Sequence, residues 1–121
     1  DASLTMTFTS DEATTDFAVS DISVANATLS NFSATSSTVY TATLTPTAQG
    51  AVTVNVAAST FNDAAGNDNT AATEFNWSYD SIAPTMTITA SGASSVADGS
   101  TSVDASLTMT FTSDEATTDF A

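Results

Sequence analysis

The 121-residue chain has no lysine, arginine, histidine or cysteine, and only two prolines and four glycines. Each absence closes a class of function. Without cations nothing in the chain neutralises phosphate, which excludes nucleic acid and anionic membrane surfaces as partners. Without histidine, lysine and cysteine there is no imidazole base, imine-forming amine or thiolate, and no enzyme activity is expected. Disulfides and zinc sites built on Cys or His are excluded for the same reason. No apolar run approaches a membrane span, so no membrane insertion is expected.

What is present is acid and oxygen. The 14 Asp and Glu residues give a formal charge of -14, set among abundant Ser, Thr and Asn. Carboxylates, amide oxygens, hydroxyls and backbone carbonyls suit a hard cation, calcium above all. The apolar share of 41% is enough for one core.

Residues 1–18, DASLTMTFTSDEATTDFA, recur without a substitution at 104–121, an offset of 103. An identical match of this length marks a tandem repeat, and the chain is expected to be one full period plus the overlap, part of a longer array. Each period carries Asp1, Asp11, Glu12, Asp16, Asp21, Asp63, Asp68, Glu74, Asp80 and Asp98. Copies that do not differ point to an array in which copy number matters more than what any one copy recognises.

Within the period the pattern is β throughout. Leu4, Met6 and Phe8 alternate with threonines; Tyr40, Ala42 and Leu44 do the same. Val52, Val54 and Val56 form a third alternating run, and Phe75, Trp77 and Tyr79 a fourth. Pro84, Met86 and Ile88 open another strand, and shorter ones are read at 22–25 and 28–33. This period-two pattern predicts strands with one wet face, where Thr fits the pleat without adding apolar surface. Turns are expected at Asn26, at 36–37, at 46–50, at Gly66 and at Gly92. The fold class is therefore all-β, an Ig-like β-sandwich of about seven strands, tandemly repeated.

The runs SIAPTMTITAS and LTMTFTSDEATTDFAVSDISVANATLSNFSATSSTVYTATLTPTAQGAVTVNVAASTFNDAAGND resemble the bacterial Ig-like repeats of giant RTX-type adhesins. The resemblance covers the whole period, with DAAGN and the APT joint as its most specific parts. It implies a calcium-stiffened extender, holding a distal binding tip away from a bacterial cell surface. Its phase starts a module near Ser81. Residues 1–80 then hold strands B to G of one repeat, and 81–121 the linker plus strands A and B of the next.

In that phase strand A lies at 84–90, B at 4–9 and again at 107–112, and G at 73–79. Alternating strand directions place loops 10–20 and 59–69 at the end where strand A begins, which gathers Asp11, Glu12, Asp16, Asp63 and Asp68 there. Asp98 falls at the opposite end and Asp80 in the connector. Stacked modules would bring Asp80 toward Asp114, Glu115 and the DAAGND loop of the next copy. Such a cluster repels itself unless a cation joins it, and calcium accepts roughly six to eight oxygens. The candidate ligands are Asp11, Glu12, Asp63, Asn67, Asp80, Asp98, Asp114 and Glu115. Against this stands the solubilising role that acids have on any Ser- and Thr-rich surface. DAAGN lacks the twelve-residue alternation of an EF-hand, and Gly66 with Asn67 also reads as a plain turn.

Glu74 reads as a solvated strand residue, and Trp77 and Tyr79 as core by default, with a carbohydrate platform as the sharper reading. Asn26, Asn31 and Asn76 fit the glycosylation pattern, which so Ser- and Thr-rich a chain rarely avoids. The favoured function is a structural extender of a bacterial surface adhesin or filament, extracellular, with identical neighbouring repeats as partners. The alternatives are a glycan- or protein-binding adhesive module, in which repetition supplies avidity, and a filament subunit that exchanges strands between chains. Connector 80–83 spans at most about 14 Å stretched, too short to return strand A to the core of residues 4–79. Residues 84–90 are therefore expected to pair with 107–112.

Overall fold

The structure, a computed structural model, describes residues 2–121; Asp1, counted above among the acids of the period, lies outside the described residues. The chain divides into two compact units, Asp1–Ser81 and Ile82–Ala121.

Among its described residues the first unit has six strands: β1 (Leu4–Thr9), β2 (Ile22–Ala25), β3 (Ala27–Ala34), β4 (Val39–Pro46), β5 (Gly50–Val56) and β6 (Phe75–Tyr79). One sheet runs β1-β4-β3 and the other β2-β5-β6, with every neighbouring pair antiparallel. In sandwich lettering these are B-E-D and C-F-G, the strand order of an Ig-like β-sandwich. The alternation predicted from sequence decides which side chains face inward. Tyr40, Ala42 and Leu44 of β4 and Val52, Val54 and Val56 of β5 are buried, and Leu44 and Val52 are fully closed off. Burying a side chain of this size contributes roughly 1.5–3 kcal/mol. Leu4, Met6 and Phe8 of β1 stand opposite Leu44, Ala42 and Tyr40, while Thr5, Thr7 and Thr9 face outward.

Two turns at one end are tied together by Asn26, which takes φ 56°, a left-handed conformation Asn tolerates well. Its amide donates to the carbonyls of Ala48 and Ala51 at 2.9 and 3.2 Å and accepts from the Thr47 hydroxyl at 2.9 Å. The β2–β3 turn is thereby pinned to the β4–β5 turn. Pro46, expected in that second turn, instead ends β4. A register shift in β3 between Ser30 and Ser33, with Asn31 at φ 52°, lengthens that strand to Ala34.

The second unit has β7 (Met86–Ser91), β8 (Ser95–Val96) and β9 (Thr108–Ser113), in the order β8-β7-β9. β7 pairs antiparallel with β9, setting Ile88 opposite Phe111 and Ala90 opposite Met109. Strand β8 was not anticipated, because two residues show no periodicity. The turn into it passes Gly92, where a Cβ would land on the Asp104 carboxylate. That carboxylate accepts the Ala93 N–H at 3.0 Å, so glycine is required by close approach here. The second unit is a single sheet, and Met86, Ile88, Met109 and Phe111 remain exposed.

Candidate metal site at the loop end of the sandwich

The ends of β1 and β5 and the starts of β2, β4 and β6 share one end of the first unit. Loop 10–21 is fastened there by backbone bonds from Ser10 N–H to Thr38 O at 2.8 Å and from Thr14 N–H to Ser37 O at 2.9 Å. Thr14 is the one buried polar residue among the described residues, 3% exposed, and its hydroxyl meets the Tyr40 hydroxyl at 3.0 Å. Thr14 also forms an antiparallel bridge with Asp63. One residue thus connects strand β4 to both acidic loops.

The second loop is a small hairpin. Asp63 N–H donates to Asn67 O at 3.0 Å, and Gly66 turns the chain at φ 88°. The Asp63 carboxylate caps this turn, accepting the N–H groups of Ala65 and Asn67 and the Asn67 side-chain amide, each at 2.8 Å. Hydrogen bonds from Asn67, side chain first and backbone second, hold Asp63 below the usual carboxylate range. Glu12 approaches the same carboxylate from loop 10–21. A hydrogen bond to Asp63, then repulsion from Asp63 and Asp11, pushes Glu12 above its ordinary value. Of the two acids, Asp63 is thus the one biased toward the anion and Glu12 the one biased toward its protonated form.

Asp16 and Asp68 belong to the same end but are engaged structurally. Asp16 accepts the Asn62 N–H with both oxygens, at 3.0 and 3.2 Å, and Asp68 accepts from the Asn62 amide at 2.7 Å. Asn69 ties the base of the hairpin, accepting from the N–H groups of Thr60 and Phe61 at 2.8 and 3.0 Å. Beneath the loops Phe17 packs against Phe8, Phe32, Tyr40 and Phe61, with ring centroids 4.9–5.9 Å apart. Thr14, Phe17 and Asn69 carry the loop architecture and were not singled out in the sequence. Isolated residues in irregular loops leave no periodic signal.

Of the eight candidate ligands, Glu12, Asp63 and Asn67 come together, with Asp11 beside them as a lining residue of the same cleft. The other four lie elsewhere. Asp80 follows the end of β6 and accepts from the Gln49 amide at 2.8 Å. Asp98 is exposed in the turn before Gly99. Asp114 accepts the Thr85 N–H at 2.8 Å and the Thr85 hydroxyl at 2.7 Å, contacts that lower its pKa, side-chain bond first. Glu115 N–H donates to the Ser113 hydroxyl at 3.4 Å. Among the described residues no group of three or more acidic side chains lies close enough to hold a metal ion. The donor chemistry at Glu12 and Asp63 suits calcium, but two carboxylates fall well short of the six to eight oxygens it takes.

Two three-stranded antiparallel sheets in the order B-E-D and C-F-G define the first unit as an Ig-like β-sandwich. Residues 1–79 match the bacterial Ig-like domain family, and the chain belongs to it. This is a non-catalytic domain type, often found in structural, surface-exposed settings. No curated protein and no solved structure matched the chain. Among the described residues no helix is long and apolar enough to cross a membrane.

Proposed function

We propose that this chain is an extender module of a bacterial surface adhesin or filament, repeated in tandem and stiffened by calcium where modules meet. The observation that carries the reading is the identical sequence at 1–18 and 104–121 within a bacterial Ig-like chain, each copy contributing a strand, β1 and β9. A strand that recurs at a fixed offset is how a linear array of sandwiches is encoded. Calcium is supported by the Glu12–Asp63 pair: Glu12 sits against the charges of Asp63 and Asp11, and a divalent ion between these carboxylates would relieve the repulsion. In a stacked array Asp80 of the preceding module supplies the further carboxylate.

Ligation by the folded state alone adds about 2.7 kcal/mol for each site at a hundredfold excess of calcium over its dissociation constant. Thermal melts of a chain carrying two or more linked repeats should separate widely between millimolar calcium and chelator. Coincident curves refute calcium as the stiffener.

A further inference from the structure

Of the four glycines in the chain, one follows an aspartate. Gly50, Gly66 and Gly92 come after Gln49, Ala65 and Ser91, whereas Gly99 comes after Asp98, and no asparagine precedes a glycine. Asp98–Gly99 is therefore the one pair in which an aspartyl side chain stands next to a backbone nitrogen that has no Cβ beyond it to crowd an approach.

The local structure singles out the same pair. Residues Ala97 to Ser100 form a turn, closed by Ser100 N–H to Ala97 O at 3.1 Å and by the Ser100 hydroxyl to the same oxygen at 2.6 Å. Gly99 takes φ 73° at the third position and Asp98 has no positive φ, the pattern of a type II turn. The closing bonds bypass the peptide between Asp98 and Gly99, and the Gly99 N–H has no hydrogen-bond partner among the described residues. Type I and type II turns differ by a flip of that central peptide, and glycine accepts the φ of either. The nitrogen can thus turn toward the Asp98 side chain while the turn stays closed. A Cβ built on Gly99 would meet nothing within 4 Å, so the space on that side is open.

Several other aspartates are tied down. Asp16 takes the Asn62 N–H, Asp63 those of Ala65 and Asn67, Asp104 that of Ala93 and Asp114 that of Thr85. Each of these carboxylates is bonded to a group other than the nitrogen that follows it. Asp98 is exposed, and its carboxylate accepts no hydrogen bond among the described residues.

We propose that Asp98 is a self-modification site, at which the chain's own backbone converts aspartate to isoaspartate. The Gly99 nitrogen attacks Cγ of the protonated Asp98 carboxyl. The Cγ–N bond forms, the carboxyl hydroxyl leaves with the nitrogen's proton as water, and a five-membered succinimide closes. Water then adds to one of the two ring carbonyls. Cleavage of the Cγ–N bond restores aspartate; cleavage of the original peptide bond leaves the chain running through Cγ, with the former main-chain carbonyl as the free carboxylate. One water is lost and one regained, and nothing is oxidised or reduced. The charge of the chain is unchanged, but the backbone gains a methylene inside the span that Ser100 closes on Ala97. Only the four residues of the turn take part, and the chemistry is independent of the calcium and extender readings. In a tandem array the site recurs once per period, so altered turns accumulate with repeat number and with age.

The experiment incubates the full chain in warm neutral buffer made with heavy-oxygen water. Samples taken over time are cut with a protease that cleaves at aromatic residues, since the chain has no lysine or arginine, and residue 98 is read by electron-transfer fragmentation. Isoaspartate carrying one heavy oxygen should build up at 98 with first-order kinetics, ahead of Asp63, Asp104 and Asp114. Asp98→Asn should give the same two products, aspartate and isoaspartate, with release of ammonia. Asp98→Glu, which would have to close a six-membered ring, should abolish the product. An aspartate at 98 that stays unchanged overturns the proposal. So do isoaspartate appearing equally at the tied aspartates, a product without heavy oxygen, and an Asp98→Asn chain that deamidates to aspartate alone.

Discussion

Glu12 is the residue at which the chemistry of the loop end can be read. Its pKa is raised by hydrogen bonding to Asp63 and by the charges of Asp63 and Asp11, so the folded state favours its protonated form. The associated stability is complete below the ordinary glutamate range and is lost as pH rises through the raised value. Asp63, Asp104 and Asp114 have lowered values, so their contribution is present above the ordinary aspartate range and lost as pH falls through the lowered ones. In chelator, Glu12→Gln should melt above the parent at neutral pH, and the gap should close as pH falls through the glutamate range. In calcium the same variant should lose most of the metal-dependent rise. Melts at matched pH with and without calcium check both. A Glu12→Gln chain that responds to calcium as the parent does would remove Glu12 from the ligand set. That Asp11, Glu12, Asp16, Asp63 and Asp68 share one end of the sandwich was legible in the sequence, because loops that join neighbouring strand ends must lie together. The roles of Asp16 and Asp114 were not, since a carboxylate that accepts a backbone N–H looks the same in sequence as one that awaits a metal.

At the scale of elements, strand β4 organises the molecule. It lies between β1 and β3, buries Tyr40, Ala42 and Leu44, and through Tyr40 fixes the loop that carries Glu12. The Tyr40 hydroxyl also reaches the carbonyls of Thr14 and Ser37 at 3.2 and 3.3 Å. Tyr40→Phe leaves the buried Thr14 hydroxyl without that partner, a loss of about 1–3 kcal/mol. Denaturant unfolding should register this loss, and the calcium response should weaken with it because the loop is no longer pinned. Unchanged stability in Tyr40→Phe would show that loop 10–21 is held by its backbone bonds alone. Strand existence was readable nearly everywhere, as the alternations at Leu4, Tyr40, Val52 and Trp77 show. Element ends were less so: β3 gains length through a bulge, Pro46 closes β4 rather than sitting in the turn, and β8 is too short to carry a pattern.

For the whole molecule the proposed array makes a mechanical prediction. The connector from Asp80 to Ala83 lacks the Gly/Ser run of a flexible linker, so linked repeats should be extended when calcium joins them. Small-angle scattering on four tandem repeats should show a maximum dimension that shortens on chelation, and Asp80→Ala should mimic chelation. Asp80 also receives a hydrogen bond from Gln49, which in turn accepts the Ser81 N–H at 2.8 Å. Gln49→Ala is therefore the companion variant. If it shortens the array as much as Asp80→Ala does, the stiffness resides in that hydrogen-bonded clasp and not in a metal.

The sequence by itself determined the charge, the repeat, the strands and the wet and dry face of most of them, because each of these is written in composition or in neighbours two residues apart. It also determined that no cation of the protein's own could quiet the acidic loops. Tertiary structure decided which acids meet, through contacts such as Thr14 with Tyr40 and Asp63 with Asn67 that join residues distant in the chain or held in a turn. It decided, too, the partners of two identical segments. Leu4, Met6 and Phe8 are partly covered beside β4, while Leu107, Met109 and Phe111 stand exposed beside β7. Local pattern fixes what a strand is and which face is apolar; which strand lies along its edge depends on what else the fold brings there.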